Sequence, residues 1–305
     1  MVPKAIKRVM KRTLVKGALR VRNYVRWYEE EAKKRAEEEH NYDHDDFVYP
    51  WLNSIFKKLL NEGGGALRPQ YTWGVLHATY LAKTIGIKRI SAIEFGVAGG
   101  NGLISLERIA EKVEKVFSVD IDVYGFDTGS GLPKPKDYRD LPNLWRKSAF
   151  PMDEEILKRR LKKAQLILGL VENTIPSFIS SNPAPVAFIS FDLDYYSSTK
   201  QAFKLLEADQ SLLLPRIHCY FDDIMGFAYS DYTGERLAVL EFNASHTKRK
   251  ISPIYGLKYF LPAPYDRDQW SELIYMAHIF DHDLYGHYDG LVKLHVGGGT
   301  DFQST

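Results

Sequence analysis

The sequence predicts an α/β protein, in which a doubly wound, mostly parallel sheet follows an N-terminal helical appendage. The chain has 305 residues, of which 45% are apolar, so it can bury a sizeable core. Short apolar runs, typical of strands buried on both faces, alternate with helical patterns from residue 71 onward. Glycine-rich or acidic segments follow several of these runs, which is where ligands bind in sheets of this kind.

The first 27 residues are strongly basic, with nine Lys and Arg residues and no acid. Because the whole chain carries a net charge of +2, the remaining residues sum to −7 (+2 − 9). Apolar residues recur every three or four positions from Ile6 to Val25, which predicts a basic amphipathic helix. Such an arm packs on its own domain or a second subunit, or contacts an anionic membrane surface. We expect a homo-oligomer, with peripheral membrane contact through residues 1–27 as the alternative.

A short helix from Trp51 to Leu60 is predicted next, and Asn61 and the glycine run at 63–65 end it. The glycine run marks the expected boundary between an N-terminal arm and appendage (1–66) and the main domain (67–296). The tail (297–305) is rich in glycine and polar residues and is expected to be disordered.

The main domain is predicted to alternate between helices and strands. The expected strands are 89–95, 117–126, 164–171, 186–191 and 217–221, and the expected helices are 71–85, 103–116, 153–163 and 198–208. The apolar residues around Trp270 and Phe280 suggest another helix, and 291–296 reads as a final, antiparallel strand.

The turn after the first predicted strand is dense in glycine, at positions 96, 99, 100 and 102. A dinucleotide fingerprint that starts at Gly96 would need glycine where the chain has Ala98 and Asn101, so NAD and FAD are disfavoured. A phosphate-binding loop is also disfavoured, because no Lys-Ser/Thr pair follows the glycines. Glu94 suits a cationic ligand better than a pyrophosphate. A tight turn without a ligand is the simpler alternative.

The pattern Glu-x-Gly-x-x-Gly-Gly-x-Gly, residues 94–102, resembles motif I of class I S-adenosylmethionine-dependent methyltransferases. Gly-Phe-Asp followed by Gly-Leu-Pro, within residues 125–133, is similar to a motif of the macrocin O-methyltransferase group. The resemblance implies a seven-stranded, Rossmann-like methyltransferase fold with S-adenosylmethionine as cofactor. The cofactor-binding residues it implies are Glu94, Gly96, Val97, Ala98, Gly99, Asn101, Asp127, Thr128, Val171 and Glu172. A carboxylate in the position of Asp127 can accept hydrogen bonds from both ribose hydroxyls.

Four carboxylates follow the ends of two predicted strands, with Asp192 and Asp194 after one and Asp222 and Asp223 after the other. Neighbouring parallel strands lie about 4.8 Å apart, so these acids are expected to converge. A hard divalent cation is the usual partner of such a cluster, whereas capping of the next helices or pairing with arginine is the alternative. Asp-x-Asp-x-Tyr-x-Ser-Thr with a later Asp-Asp resembles the magnesium site of the macrocin group, which implies Mg²⁺ on all four acids.

The general base is left open. Catechol-type O-methyltransferases often have a lysine after the second acid, where this chain has Tyr195. His218, Tyr196 and His278 are the candidates. His278 and His282 are spaced as on one helix face and could instead hold a transition metal, although no further ligand is placed.

The resulting hypothesis is a metal-assisted, S-adenosylmethionine-dependent O-methyltransferase that acts on a hydroxyl of a sugar, glycan precursor or glycosylated metabolite. The alternatives are a metal-dependent glycosyltransferase that uses Asp192-Leu193-Asp194, and a non-catalytic scaffold with the same fold. A single cysteine, Cys219, permits no intramolecular disulfide, and no apolar run reaches the roughly 18 residues of a membrane span. We therefore expect a cytoplasmic protein with a small-molecule or glycan partner, no nucleic-acid partner, and membrane association only through its arm.

Overall fold

A computed structural model describes residues 49–287 of the chain. The basic arm, the expected strand at 291–296 and the glycine-rich tail lie outside the described residues. Within them, no helix is long and apolar enough to cross a membrane.

Seven helices and seven strands make up the described part of the chain, together with short 3-10 turns. The helices are α1 (Tyr49–Glu62), α2 (Pro69–Thr84), α3 (Asn101–Phe117), α4 (Glu154–Arg160), α5 (Val171–Ser180), α6 (Tyr196–Ala202) and α7 (Gly234–Ser245). The strands are β1 (Arg89–Phe95), β2 (Asp120–Asp127), β3 (Gln165–Leu168), β4 (Val186–Phe191), β5 (Leu213–Phe221), β6 (Arg249–Pro253) and β7 (Ile274–Ile279).

The strands form one sheet in the order β3-β2-β1-β4-β5-β7-β6. The pairs from β3 to β5 are parallel, and β7 runs antiparallel to both of its neighbours, β5 and β6. The predicted fold class, a doubly wound and mostly parallel seven-stranded sheet, is confirmed. The order reverses between β1 and β4, so the carboxyl ends of these strands flank the crevice where ligands bind in such sheets.

Four phenylalanines stack in a row across the centre of the sheet. Phe126 of β2, Phe95 of β1, Phe191 of β4 and Phe221 of β5 are register partners in turn, with ring centroids 4.7–5.7 Å apart. All four are fully buried. Because the strands are in register at this row, the residues that follow each phenylalanine also lie side by side.

Helix α2 packs closely on the sheet and carries buried residues on almost every side. A Cβ on its Gly74 would lie only 2.4 Å from the ring of Phe188, so glycine is what lets helix and strand approach. Helix α1 buries the side chains of Leu52 and Phe56 in the same hydrophobic core. The glycine run at 63–65 is therefore a turn between two helices that share this core.

The prediction of a helix around residues 270–280 is wrong. Ile274–Ile279 form β7, because Ile274, Tyr275, Ala277 and Ile279 are buried as strand residues on both faces of the sheet. Helical spacing of apolar residues cannot be told from a doubly buried strand over so short a segment. The antiparallel strand of the sheet is thus this segment. Similarly, the helix expected at 198–208 ends at Ala202 and continues as a 3-10 turn from Phe203–Glu207.

Candidate functional site

The site lies at the carboxyl edge of β2, β1, β4 and β5. One residue past each of the last three strands, the backbone still pairs across the sheet: Gly96 N donates to Phe126 O (2.9 Å), Asp192 N to Phe95 O (2.9 Å) and Asp222 N to Phe191 O (3.0 Å). The glycine turn, Asp192 and Asp222 are thus fixed in one row beside Asp127. The structure thus brings these segments together at one sheet edge.

The turn after β1 requires glycine at more than one position. Gly96 has a φ of +84°, and a Cβ on it would lie 1.7 Å from the carbonyl oxygen of Asp192. A Cβ on Gly102 would lie 1.8 Å from Oε1 of Glu94. In contrast, a Cβ on Gly99 would meet nothing within 4 Å, so the middle of the turn faces open space that a ligand can use.

Glu94 lies beneath this turn and is only 1% exposed. Its Oε1 accepts a hydrogen bond of 2.7 Å from the Tyr71 hydroxyl, whereas Oε2 is buried without a hydrogen-bond partner in the described chain. Burial raises the pKa of Glu94 to about 7, although the hydrogen bond from Tyr71 and the charge of Arg68 oppose this rise. A buried carboxylate with an unpartnered oxygen is well suited to a cationic amino group.

Arg68 and Tyr71 are site residues that sequence reasoning missed. They begin α2, 26 and 23 positions before Glu94, and the guanidinium of Arg68 donates to the Tyr71 hydroxyl over 3.1 Å. The Tyr71 hydroxyl also lies 2.7 Å from Oγ of Ser190 in β4. No local signal marks them, because other polar residues, such as Gln70 and Thr72, lie beside them in the sequence.

Asp127 organises two turns. Its Oδ2 accepts hydrogen bonds of 2.9 Å from the backbone N–H groups of Val97 and Ala98, and Oδ1 accepts one of 2.7 Å from Gly129 N–H. The neighbouring Thr128 hydroxyl donates to Gly131 O (2.6 Å). The carboxylate thus ties the end of β2 to the glycine turn, and its contact with a ribose stays a prediction.

The remaining predicted cofactor residues border this region. Asn101 accepts a hydrogen bond of 3.0 Å from Arg160, which also donates to Gly99 O (3.3 Å), so α4 lies over the turn. Val171 is buried at the start of α5. Glu172 is partly exposed and forms an ion pair of 3.4 Å with Lys136. Their contacts with a cofactor stay predictions.

Three of the four predicted metal ligands come together. Carboxylate oxygens of Asp192, Asp222 and Asp223 all lie within 4.8 Å of one another. Tyrosines hold two of these acids: the Tyr220 hydroxyl donates to Asp222 Oδ1 (2.6 Å), and the Tyr229 hydroxyl donates to Asp223 Oδ1. Oδ2 of Asp223 is buried and, among the described residues, has no hydrogen-bond partner.

Asp194 is not part of this triad. Strand β4 ends at Phe191, so the alternation that would put Asp192 and Asp194 on the same face no longer applies beyond it. Asp194 adopts a φ of +59° and its carboxyl group faces that of Asp223. Burial, followed by the proximity of Asp223, raises the pKa of Asp194 to about 8.

The acids of this cluster repel one another. Burial, then the charges of Asp222 and Asp223, raise the pKa of Asp192 well above its ordinary value, and burial also raises that of Asp223. Three hard carboxylates with oxygens within 4.8 Å of one another, one with an unpartnered buried oxygen, form a donor set that suits Mg²⁺ or Mn²⁺. The residues present therefore fit a divalent cation.

The three candidates for the general base lie apart from the triad. His218 is 5% exposed inside β5, packs against Trp73 and His77, and burial lowers its pKa to about 3. His278 is the register partner of Arg216, near the opposite end of β5, roughly 20 Å of strand from Asp222.

The hydroxyl of Tyr196 forms hydrogen bonds with side chains outside the triad. Its hydroxyl donates to Glu241 (2.6 Å) and accepts from Lys200 and Arg139. These four side chains form a polar network on the outer side of α6. The structure therefore shows no contact between any of the three candidates and the triad of Asp192, Asp222 and Asp223.

The helical pairing of His278 with His282 is wrong, because His278 is in a strand and His282 is in the turn that follows it. Nδ1 of His278 lies 2.8 Å from the Tyr285 hydroxyl, and Nε2 of His282 lies 3.1 Å from Leu213 O. Both rings thus have partners that leave no shared metal position.

No family model and no curated protein matches the sequence. Solved structures do resemble it. CalS11, a calicheamicin methyltransferase, is 21% identical, covers 75% of this chain and 91% of its own, and gives a TM-score of 0.45. The O-methyltransferase NovP is 19% identical over 56% of this chain and 72% of its own, with a TM-score of 0.42.

The MycE methyltransferase, solved with Mg, SAH and mycinamycin VI, is 13% identical over 74% of this chain and 54% of its own, with a TM-score of 0.33. At TM-scores below 0.5, these likenesses decide neither the fold nor the activity of this chain. Its function is therefore inferred from its own strand order and site residues.

Proposed function

We propose that this protein is an S-adenosylmethionine-dependent O-methyltransferase that methylates a hydroxyl of a sugar or glycosylated small molecule, assisted by a divalent cation. One observation carries the proposal: the glycine turn above Glu94 lies directly beside the acid triad. The Cα of Gly96 packs against the carbonyl of Asp192, so the two sites are adjacent. Methyl transfer requires such adjacency, because donor and acceptor must be aligned in line.

The glycine turn and Glu94 are the residues that would hold the cofactor, whose sulfonium supplies the methyl group when it is bound. Gly99 leaves room for a ligand to approach the backbone, and the unpartnered Oε2 of Glu94 can accept a hydrogen bond from an amino group. Tyr71 fixes the Glu94 carboxylate from the other side. Asp127 holds the turn in shape through Val97 and Ala98.

Asp192, Asp222 and Asp223 are the residues that would hold the cation, which lowers the pKa of a hydroxyl that it coordinates. Tyr220 and Tyr229 each fix one carboxylate oxygen, which leaves the others to bind. Asp194 faces this cluster from the next turn and is better placed than His218, Tyr196 or His278 to accept a proton there.

A glycosyltransferase is supported less well. Its Asp-x-Asp site would use Asp192 and Asp194 together, yet the triad pairs Asp192 with Asp222 and Asp223 instead. A nucleotide-sugar site would also leave the buried acid under the glycine turn without a use. A scaffold without activity would need neither feature.

Calorimetry tests the proposal. We expect S-adenosylhomocysteine to bind the wild type at micromolar to submillimolar concentration, and Mn²⁺ to bind the wild type but not Asp192→Asn. Asp209→Asn is the matched control, because that acid caps a 3-10 turn just before β5, at the end of the strand opposite Asp222, and should leave both affinities unchanged. Absence of S-adenosylhomocysteine binding at millimolar ligand would refute the methyltransferase. Manganese-dependent binding of UDP-sugars would favour the glycosyltransferase.

The basic segment 1–27 supports two further proposals, an oligomer contact and attachment to an anionic membrane surface. Its nine cations in 27 residues, against a sum of −7 for the rest of the chain, would attract either partner. A cytoplasmic location stays a prediction.

A further inference from the structure

A further acid, Glu235, lies directly behind the triad and has no part in the function proposed above. It is in the first turn of α7 and is fully buried, with an exposure of 0%. Its Oε2 accepts a hydrogen bond of 3.2 Å from the backbone N–H of Asp223. Its Oε1 is buried and has no hydrogen-bond partner among the residues that the structure describes.

Asp223 is therefore held at two points by residues that follow it in the chain. Glu235 fixes its backbone, and the Tyr229 hydroxyl fixes Oδ1 of its side chain. The loop at 224–233 begins directly after Asp223, and Glu235, just beyond its other end, is hydrogen-bonded to the same residue. The oxygen that remains, Oδ2 of Asp223, is buried and unpartnered within the described chain.

A purely structural role explains Glu235 poorly. Asp223, Asp192 and Asp222 are its electrostatic neighbours, all acids, and residues 49–287 show no ion pair that neutralises Glu235. Burying a further acid beside like charges costs stability, whereas an uncharged side chain could accept the same backbone hydrogen bond without that cost. The presence of an acid here is explained if a cation occupies the site in the working protein.

We propose that Glu235 is a positioning residue of the divalent-metal centre: it fixes the backbone of Asp223 so that the free Oδ2 of Asp223 faces the cation. This inference rests on the metal site of the proposed function. Residues that orient a ligand in this way contribute about 10–100-fold to metal affinity. Tyr229 acts on the same acid and shares the role.

Titration of the metal-free protein with Mn²⁺, followed by electron paramagnetic resonance of the free ion, tests the proposal without any need for activity. Glu235→Ala should bind Mn²⁺ about 10–100-fold more weakly than the wild type. Glu235→Gln keeps an oxygen for the Asp223 N–H but loses the negative charge, so its Mn²⁺ affinity should fall between those of the wild type and Glu235→Ala. Tyr229→Phe, which removes one hydroxyl from a partly exposed ring, should weaken Mn²⁺ about 3–10-fold.

Glu107→Ala is the matched control. Glu107 is also a buried helical acid (7% exposed) that accepts backbone hydrogen bonds, from residues 162–164, but it lies away from the triad. This variant should lose thermal stability and keep the Mn²⁺ affinity of the wild type. If Glu235→Ala also keeps it, or if Glu235→Gln is as weak as Glu235→Ala, the positioning role is overturned.

Two measurements separate this inference from the proposed function. If the wild type binds S-adenosylhomocysteine but no Mn²⁺, the metal centre and the role of Glu235 are both refuted, whereas the proposed methyltransferase activity is not. If Glu235→Ala fails to fold, Tyr229→Phe decides: unchanged Mn²⁺ affinity in that variant overturns the proposal.

Discussion

Replacing Glu94 by glutamine should remove a pH dependence from the stability of the protein. The carboxyl group is buried beneath the glycine turn, and burial raises its pKa from the ordinary 4.5 to about 7. In the unfolded chain the same group titrates near 4.5. Below that pH both states are protonated and burial of the neutral acid costs little. Between pH 4.5 and about 7 the unfolded chain ionises while the folded state keeps the proton, so stability falls over this interval, and the loss is complete once the folded state itself ionises above about 7.

The magnitude is set by the two pKa values. Each pH unit between them is worth 1.36 kcal/mol, so the interval from 4.5 to about 7 gives a full effect of about 3 kcal/mol. Between pH 5 and pH 8, roughly 2–3 kcal/mol of this should be seen. Glutamine keeps the hydrogen bond from Tyr71 but cannot ionise. The wild type should therefore lose stability relative to Glu94→Gln over this range.

Urea unfolding of both proteins at pH 5, 6, 7 and 8, without metal or cofactor, measures the effect. The quantity of interest is the difference between wild type and variant at each pH, because it removes the contribution of groups that do not interact with Glu94. Glu172→Gln is the control: that acid is partly exposed and pairs with Lys136, and its difference from the wild type should stay flat. A difference for Glu94→Gln that is independent of pH would refute the buried-charge reasoning.

The same group should make cofactor binding depend on pH. An amino cation beside Glu94 favours the ionised carboxylate, of which a group with pKa about 7 provides roughly tenfold more at pH 8 than at pH 6. Calorimetry should show the affinity of the wild type for S-adenosylhomocysteine rising by up to about tenfold over this range. The affinity of Glu94→Gln should be weaker and flat. A wild-type affinity that falls with pH would contradict the proposed contact.

Further predictions concern the row of strand ends and the arm. Gly96→Ala, at a φ of +84° and 1.7 Å from the Asp192 carbonyl, should cost more than about 2 kcal/mol in urea unfolding. Gly99→Ala meets no atom within 4 Å and should unfold like the wild type while binding S-adenosylhomocysteine more weakly. Asp192→Asn should raise the melting temperature of the metal-free protein, because a buried carboxyl group beside Asp222 and Asp223 is removed, and should abolish its further rise with Mn²⁺. Deletion of residues 1–27 should lower either the molecular mass by light scattering or the binding to anionic liposomes, and loss of neither would make the arm irrelevant to both.

Most of the sheet could be predicted because its strands are short, apolar and buried on both faces. The bounds of β1 (Arg89–Phe95) and β4 (Val186–Phe191) agree with those predicted from their apolar runs alone. The last strand could not be recognised, since Trp270 and Ile274 fit a helical spacing and only the neighbours β5 and β6 decide that the segment is extended. Tertiary pairing overrides local pattern in such segments.

The site was predictable where a residue type follows a strand, as with Gly96, Asp192 and Asp222. It was not predictable where a contact joins distant segments, because neither Tyr71 nor Glu235 carries a local signal. Glu235 in particular looks from the sequence like an ordinary acid in the first turn of a helix. Conversely, the histidine in β5 resembled a base only because its burial against Trp73 is invisible in the sequence.

The stacked phenylalanines explain why the two halves of the site keep a fixed separation. Phe126, Phe95, Phe191 and Phe221 lock four strand ends in register, and the glycine turn and two of the acids are one residue further on. Their spacing is therefore set by the strand separation of about 4.8 Å, which no loop movement can alter. Moreover, the Gly96 turn cannot shift without moving the backbone of Asp192, on which its Cα packs. The cofactor turn and the acid triad thus form one rigid unit, so a variant that displaces the turn, such as Gly96→Ala, should weaken Mn²⁺ binding as well as S-adenosylhomocysteine binding.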